Sequence, residues 1–116
     1  MLRVDKLLQP VDRLGLQLNW LAVGYQREYR FHPRRRWRAD FFLEYRTRKL
    51  LVEVEGGAFQ RGRHTRGLGF ENDCEKYAEA LILGFLVLRV TPRQIDRGLA
   101  IDWIRRILHG TRSTAV

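Results

Sequence analysis

The carboxylates of Asp40, Glu53 and Glu55 constrain the chemistry of this sequence more than any other side chains. Glu53 and Glu55 flank Val54 at the end of an apolar run, and alternate side chains of a β-strand project to the same face. With Asp40 on a neighbouring strand they could form an acidic cluster, which is unfavourable unless a cation or a proton compensates it. Mg²⁺ takes oxygen ligands of this kind, usually one or two protein carboxylates completed by phosphate and water. The pattern indicates a Mg²⁺ site, and the alternative is two solvated glutamates on an edge strand.

Positive charge is concentrated around these carboxylates. The net charge is +9, and residues 25–66 hold twelve Lys/Arg against five Asp/Glu. Such a surface attracts a polyanion and releases its counterions, so we expect DNA as the partner. Arginine outnumbers lysine, which suits bidentate phosphate contact, although a GC-rich genome produces the same bias. The candidate DNA-binding residues are Arg34, Arg35, Arg36, Arg61, Arg63 and Arg66.

Length and composition predict one domain over residues 1–110, with a frayed tail at 111–116. The sequence has no apolar run long enough to span a bilayer and no signal-peptide pattern at its start, so we expect a cytoplasmic protein and no membrane partner. Cys74 is the single cysteine, which excludes an intramolecular disulfide and a cysteine zinc site. We expect it to be a buried core thiol rather than a nucleophile.

Hydrophobic periodicity predicts the order α-β-β-β-α-β-α. A helix over Val11–Val23, with Gly24 as its stop, precedes a three-stranded meander. The meander strands are Tyr25–Phe31, Trp37–Leu43 and Lys49–Glu55.

The second half continues with a glycine- and arginine-rich loop over Gly56–Gly69. A helix follows from a capping box at Asn72 and Glu75 to a stop at Gly84, and its apolar side is formed by Cys74, Ala78, Leu81 and Ile82. Phe85–Val90 is predicted as a buried strand parallel to the third, and Thr91 caps a last helix through Leu108.

Four segments in this order resemble one family of nucleases. They are RRRWRADF, LLVEVEGGAFQRGRHTRG, DCEKYAEA and GFLVLRVTPRQI. The element order and the acidic residues resemble the core of the PD-(D/E)XK nuclease superfamily, more narrowly the small phage and prophage nucleases related to very-short-patch-repair endonucleases and Holliday junction resolvases. The resemblance covers about residues 26 to 95. It implies a restriction-endonuclease-like α/β fold with a mixed sheet flanked by helices.

The resemblance also implies Mg²⁺-dependent hydrolysis of DNA phosphodiester bonds, with Mn²⁺ as a substitute. Asp40 and Glu53 would be the metal-binding carboxylates, and the main-chain carbonyl of Val54 would complete the protein ligands. Two positions depart from the family pattern. Ala39 stands where the motif has proline, and Glu55 stands where it has lysine. The lysine is the residue usually thought to orient the attacking water and stabilise the developing charge.

Two residues could compensate for the missing lysine, and two others could assist. Glu55 could act as a general base or bind a second metal, whereas Lys76 on the next helix could deliver the positive charge or be an ordinary solvated lysine. Asp73, one turn before Lys76, could hold that lysine or a metal-bound water, or be a first-turn carboxylate favoured by the helix dipole. His64 could protonate the leaving 3′ oxygen or contact phosphate, or be an exposed polar residue.

Four further positions have two interpretations each. Tyr25, Tyr29 and Trp37 alternate with arginines, a pattern that permits base stacking but is more typical of core aromatics. Glu28 could join the acidic cluster or pair with a neighbouring arginine.

These observations lead to the expectation of a metal-dependent DNA endonuclease in repair, recombination or phage DNA processing. The rivals are a DNA-binding module that keeps the fold without cleavage and an accessory component that recruits DNA for another nuclease. A homodimer would suit symmetric cutting of two strands.

Overall fold

A computed structural model describes residues 7–56 and 66–110, with the backbone but not the side chain of Arg66. The predicted order of elements is confirmed, except that the last helix is divided in two. The elements are α1 (Pro10–Trp20), β1 (Gln26–Arg30), β2 (Arg38–Tyr45), β3 (Arg48–Val54), α2 (Arg66–Ile82), β4 (Leu86–Val90), α3 (Pro92–Asp96) and α4 (Leu99–His109). None of the helices in these ranges is long and apolar enough to cross a membrane.

The four strands form one mixed sheet in the order β1-β2-β3-β4. β1, β2 and β3 are an antiparallel meander, as predicted from the turns between them. β4 pairs with β3 in parallel, because α2 carries the chain back across the sheet between them. The protein is therefore an α/β fold with helices on both faces of a mixed sheet.

The first face of the sheet carries the larger core. Buried side chains of alternate strand positions pack there against α1, α3 and α4. Arg13 of α1 joins this layer to α3, since its guanidinium lies 2.8 and 3.0 Å from the two carboxylate oxygens of Asp96. The core residues on this face are Leu14, Leu18, Phe41, Leu43, Leu50, Val52, Val90, Ile95, Ala100, Ile104 and Leu108.

The second face packs under α2 and is largely aromatic. Tyr29 stacks on Phe42 with ring centroids 4.3 Å apart, and Phe85 meets both rings edge to face. Trp37 packs against the same cluster, so Tyr29 and Trp37 belong to the core. The buried members of this cluster are Phe31, Ala39, Phe42, Leu51, Ala80 and Phe85.

Side-chain alternation shifts along β2 at Asp40. Ala39 and Phe42 pack into the same cluster, although strict alternation would place residues three apart on opposite faces. On β1 the neighbouring residue Glu28 has φ 51°, a left-handed conformation rare for residues with a side chain. The register between β1 and β2 skips the pair that Glu28 and Asp40 would make. The sheet is thus irregular at the first predicted catalytic carboxylate.

Two predicted helix boundaries are wrong, the end of α1 and the start of α2. α1 ends at Trp20 rather than Val23, because Ala22 takes φ 58° and turns Val23 back toward the core. α2 begins at Arg66, so the last residues of the predicted loop Gly56–Gly69 are helical and the cap at Asn72 does not exist. A glycine inside a helix costs only about 1 kcal/mol, which leaves the helix free to continue through Gly67 and Gly69. Asp73 is accordingly not in the first turn.

The apolar side predicted for α2 faces away from the sheet. Cys74 is exposed, contrary to its prediction as a core thiol, and Ala78, Leu81 and Ile82 are exposed as well. Ala80 alone among the described α2 side chains is fully buried, and polar residues beside it cover the sheet. The reason is that this part of the sheet presents charged side chains, which polar groups of the helix must neutralise.

The predicted C-terminal helix is two helices. The capping box of Thr91 and Gln94 is confirmed, but Gly98 with φ 81° separates α3 from α4. Glycine adopts this conformation without strain, so the chain changes direction there. β4 is an edge strand and its residue Leu86 is 43% exposed, which corrects the prediction of a fully buried strand. The predicted tail, 111–116, lies outside the described residues.

Candidate active site

The strands β2 and β3 separate at one end. Their antiparallel pairing ends at Phe41 opposite Val52, although β2 begins at Arg38 and β3 continues to Val54. Backbone groups beyond the last pair need other partners, since a buried unpaired polar group is costly. Side chains of Asp40 and Lys76 supply those partners, and the opening between the two strands is the candidate active site.

Asp40 closes the opening from the β2 side. Its Oδ2 accepts a hydrogen bond of 2.7 Å from the backbone N–H of Val54. The N–H and C=O of one strand residue point the same way, so the Val54 carbonyl is directed toward the same opening. The structure therefore brings the two predicted ligands Asp40 and Val54 together.

Glu53 lies in the same opening and is 8% exposed. Its Oε2 contacts the ammonium of Lys76 from α2. That ammonium also donates a hydrogen bond of 2.7 Å to the carbonyl of Arg38. Lys76 is therefore not a solvated helix lysine, because it joins α2 to the separated ends of both strands.

Burial raises the pKa of Glu53 from 4.5 to about 7. Contact with Lys76 lowers the pKa, but desolvation is the larger effect, and the nearby charges of Asp40 and Glu55 raise it further. A carboxyl group with a pKa near neutral pH in an opening beside another carboxylate is typical of functional sites.

Glu55 is neutralised by a different residue. Arg89 of β4 donates a hydrogen bond of 2.8 Å from Nε to the Glu55 carboxylate, and its other nitrogen lies 3.6 Å from Asp73. The hydrogen bond to Glu55 raises the pKa of Arg89 above its ordinary value, so the guanidinium stays charged. Asp73 thus holds Arg89 rather than Lys76.

The Tyr77 ring lies between the two cations. Arg89 lies 4.7 Å and Lys76 5.5 Å from its centroid. Burial raises the pKa of Tyr77, and the carboxylates of Glu53 and Glu55 raise it further. The phenol stays protonated at neutral pH, and its aromatic face packs against the guanidinium of Arg89.

The donor atoms of the opening fit a hard divalent cation. Asp40 and Glu53 provide carboxylate oxygens, and their proximity is evident in the effect of Asp40 on the Glu53 pKa. Among residues 7–56 and 66–110, no three His, Cys, Asp or Glu side chains are grouped to hold a metal ion. Two carboxylates and the Val54 carbonyl are nevertheless the kind of set that Mg²⁺ uses, because it keeps several waters and substrate oxygens.

A basic turn precedes β2. His32 accepts hydrogen bonds of 3.1 and 3.0 Å at Nδ1 from the backbone N–H groups of Arg34 and Arg35, which leaves Nε2 to donate to Glu79. Arg35 pairs with Glu75 and lies 3.8 Å from the ring centroid of Trp37. These contacts fix the turn that carries three of the predicted DNA-binding arginines.

The remaining arginines of that turn are exposed. In the part of the chain that the structure describes, Arg34 and Arg36 form no ion pair and both side chains reach solvent. Glu28 lies 3.9 Å from Arg38, which agrees with the prediction that it pairs with an arginine.

Four predicted site residues cannot be placed. Arg61, Arg63 and His64 lie outside the described residues, and Arg66 is described only as the first backbone residue of α2.

Two residues of the site were missed from the sequence. Arg89 lies opposite Glu53 in the register of β3 and β4. It is a charged residue inside the otherwise apolar run Phe85–Val90, and this position could have indicated a residue of the site. Tyr77 had no distinguishing pattern, because an aromatic residue on a helix is ordinarily read as core.

A groove of about 510 Å³ lies elsewhere, at the other end of β2. Its lining includes Tyr25, Glu44, Tyr45 and His109, and none of the carboxylates described above.

No family model, no curated protein and no solved structure matches this chain.

Proposed function

We propose that this protein is a metal-dependent DNA endonuclease that hydrolyses phosphodiester bonds. The observation that carries the proposal is the strand opening, where Asp40 accepts a hydrogen bond from the Val54 N–H and Glu53 contacts the ammonium of Lys76. Carboxylates and a lysine next to a basic surface suit the hydrolysis of a phosphodiester, because this reaction develops negative charge that fixed cations stabilise.

Asp40, Glu53 and Val54 would hold a Mg²⁺ or Mn²⁺ ion. When bound, such an ion polarises the phosphoryl oxygens and lowers the pKa of water. Glu53 must be deprotonated to serve as a ligand, and its pKa of about 7 makes that step dependent on pH near neutrality.

Lys76 is the residue we assign to the role of the missing motif lysine. Its ammonium touches Glu53, whereas Glu55 is engaged by Arg89. In this proposal Lys76 would donate to a phosphate oxygen near the carboxylates, and Glu55 would keep Arg89 and the end of β3 in position.

DNA binding is assigned to the turn before β2. Arg34 and Arg36 are exposed there, and the contacts of His32 with the backbone hold the turn in one conformation. A fixed turn loses less entropy when its arginines contact phosphate. Repair, recombination and phage DNA processing are the settings that fit an enzyme of this type.

A second function is supported by one observation. The ammonium of Lys76 already neutralises Glu53, and an ion pair of this kind could replace a metal instead of assisting it. The protein would then be a DNA-binding or accessory module with the nuclease architecture.

Cleavage of supercoiled plasmid separates the two functions. We expect nicking with Mg²⁺ or Mn²⁺ and none in EDTA, and loss of nicking in Glu53→Gln. Glu71→Gln is the matched control, because Glu71 is an exposed residue on the outer side of α2. Binding without cleavage under every metal condition would support the second function and contradict the first.

A further inference from the structure

Two exposed arginines lie opposite each other at the base of the basic turn. Arg30 ends β1 and Arg38 begins β2, and the register of these strands pairs the two residues directly. Neighbouring strands lie about 4.8 Å apart, so side chains paired in this way are close together on one face of the sheet. Like charges in such a pair destabilise a sheet, and a bound anion would relieve their repulsion. We refer to Arg30 and Arg38 as the arginine pair.

The protein supplies little negative charge to the arginine pair. Glu28 lies 3.9 Å from Arg38, and both side chains are more than half exposed, so water screens their attraction. Within residues 7–56 and 66–110, Arg30 forms no ion pair. The pair therefore keeps a net positive charge at the surface.

The opposite end of the same sheet has the ordinary arrangement of charges. There Lys49 of β3 is paired with Glu44 of β2, and opposite charges in this position stabilise a sheet. Strand pairing by itself therefore does not explain two arginines side by side. The backbone of β1 is also strained next to the pair, since Glu28 has φ 51°. Strain of this type is concentrated at active sites and ligand-binding sites.

The arginine pair lies beside the strand opening, on the other face of the sheet from Lys76. Tyr29 and Ala39, the next residues along the two strands, belong to the core under α2. Side chains alternate along a strand, so Arg30 and Arg38 project from the first face. The carbonyl of Arg38 accepts the hydrogen bond from Lys76 at the opening. Cations thus flank the opening on both faces of the sheet.

We propose that the arginine pair binds a phosphate of the DNA backbone next to the phosphodiester at the opening. This inference rests on the proposed function, because it takes DNA as the substrate that reaches Asp40 and Glu53. A guanidinium binds phosphate oxygens through two parallel N–H groups, and a phosphate shared by two arginines offsets their mutual repulsion. A DNA strand held by Lys76 and by the arginine pair crosses the end of the sheet from one face to the other.

Thermal unfolding without DNA tests whether the pair is repulsive. At low salt, Arg30→Gln should melt about 1 to 4 °C above the parent, because it removes one of two opposed like charges. Added salt should reduce this difference, since it screens exposed charges. A residue with only a structural role would lower the melting temperature when replaced. Melting at or below the temperature of the parent would overturn the proposal.

DNA affinity tests whether the pair binds phosphate. Binding of a duplex oligonucleotide is measured in EDTA at several salt concentrations, so that cleavage does not interfere. Arg30→Gln with Arg38→Gln should make the plot of log affinity against log salt concentration shallower by about 0.9 or more, the change for one phosphate. At about 0.1 M salt, the affinity should be at least about fivefold weaker.

A matched control removes the same charge from the other end of the sheet. Arg46→Gln with Lys49→Gln replaces two exposed basic residues at the turn between β2 and β3. Its slope should stay close to that of the parent. An equal change in both double variants would show an effect of net charge alone and would overturn the arginine pair as a site.

Plasmid nicking separates this inference from the proposed function. Nicking by the parent, together with an unchanged salt slope in Arg30→Gln with Arg38→Gln, would overturn the phosphate site and leave the endonuclease standing. A shallower slope in that variant but not in the control, without nicking by the parent under any metal condition, would support the phosphate site and contradict the endonuclease. We expect nicking by the parent and the shallower slope in the variant.

Discussion

The raised pKa of Glu53 predicts that replacing this carboxylate stabilises the protein at neutral pH. The pKa is about 7 in the folded state against an ordinary value of 4.5, so the folded state binds more protons than the unfolded state between these values. Stability then falls as the pH rises through this window. Glu53→Gln has no such loss, because glutamine stays neutral.

The size of the effect follows from the two pKa values. One pKa unit corresponds to 1.36 kcal/mol, so the full difference is about 3 kcal/mol. The folded pKa already includes the favourable contact with Lys76. Relative to Glu53→Gln, the free energy of unfolding of the parent should fall by roughly 1.4 kcal/mol for each pH unit between about 4.5 and 7. It should not fall further well above pH 7.

Urea unfolding of both proteins between pH 5 and 8 measures this difference. The two free energies of unfolding should differ by less than about 1 kcal/mol at pH 5 and by about 3 kcal/mol at pH 8, with Glu53→Gln the more stable. Glu71→Gln controls for the same chemical change at an exposed position. A difference independent of pH, or a parent that gains stability relative to Glu53→Gln as pH rises, would refute the argument from burial.

Three other perturbations follow from the geometry. Lys76→Met should lower the single-turnover cleavage rate by about 10² or more and Glu55→Gln much less, and the reverse order would return the role of the motif lysine to Glu55. Replacing Arg34 and Arg36 by alanine should make the plot of log DNA affinity against log salt concentration shallower, by about 0.9 for each phosphate that is no longer neutralised. An unchanged slope would show that this turn does not contact the DNA. Arg13→Met should cost about 2 kcal/mol or more in thermal or urea unfolding, because it leaves a partly buried carboxylate on α3 unpaired, and an unchanged midpoint would contradict that role.

Local patterns in the sequence predicted the sheet well. Alternation in Lys49–Glu55 placed Leu50, Val52 and Val54 against one core, and the structure confirms this. The parallel pairing of β3 and β4 followed from the handedness of the connection through a helix. Both predictions depend on rules that act within one strand or one crossover.

The orientation of α2 could not be predicted in this way. Its apolar residues were expected to face the sheet, but the sheet presents Glu53 and Glu55 there, and the polar side of the helix covers them. Periodicity identifies an apolar side and does not say which surface lies beneath it. The error at Cys74 has the same origin.

The shift in side-chain alternation of β2 at Asp40 could not be predicted from local sequence rules either. The left-handed conformation of Glu28 and the shift at Asp40 arise from pairing between strands, and neither residue is of a type that signals them. The contact of Lys76 with Glu53 joins residues from separate elements, so the sequence could only offer Lys76 and Glu55 as alternatives.

Cleavage by Asp40→Asn is the most direct test of the proposed endonuclease. Asparagine keeps an oxygen that can accept the hydrogen bond from the Val54 N–H, so the substitution removes the charge and preserves the contact. With saturating protein, Mg²⁺ and labelled DNA, the parent should cut in a single turnover, whereas Asp40→Asn should bind the DNA at least as tightly and leave it intact. Cutting by Asp40→Asn at the parent rate would contradict the assignment of this opening as the active site.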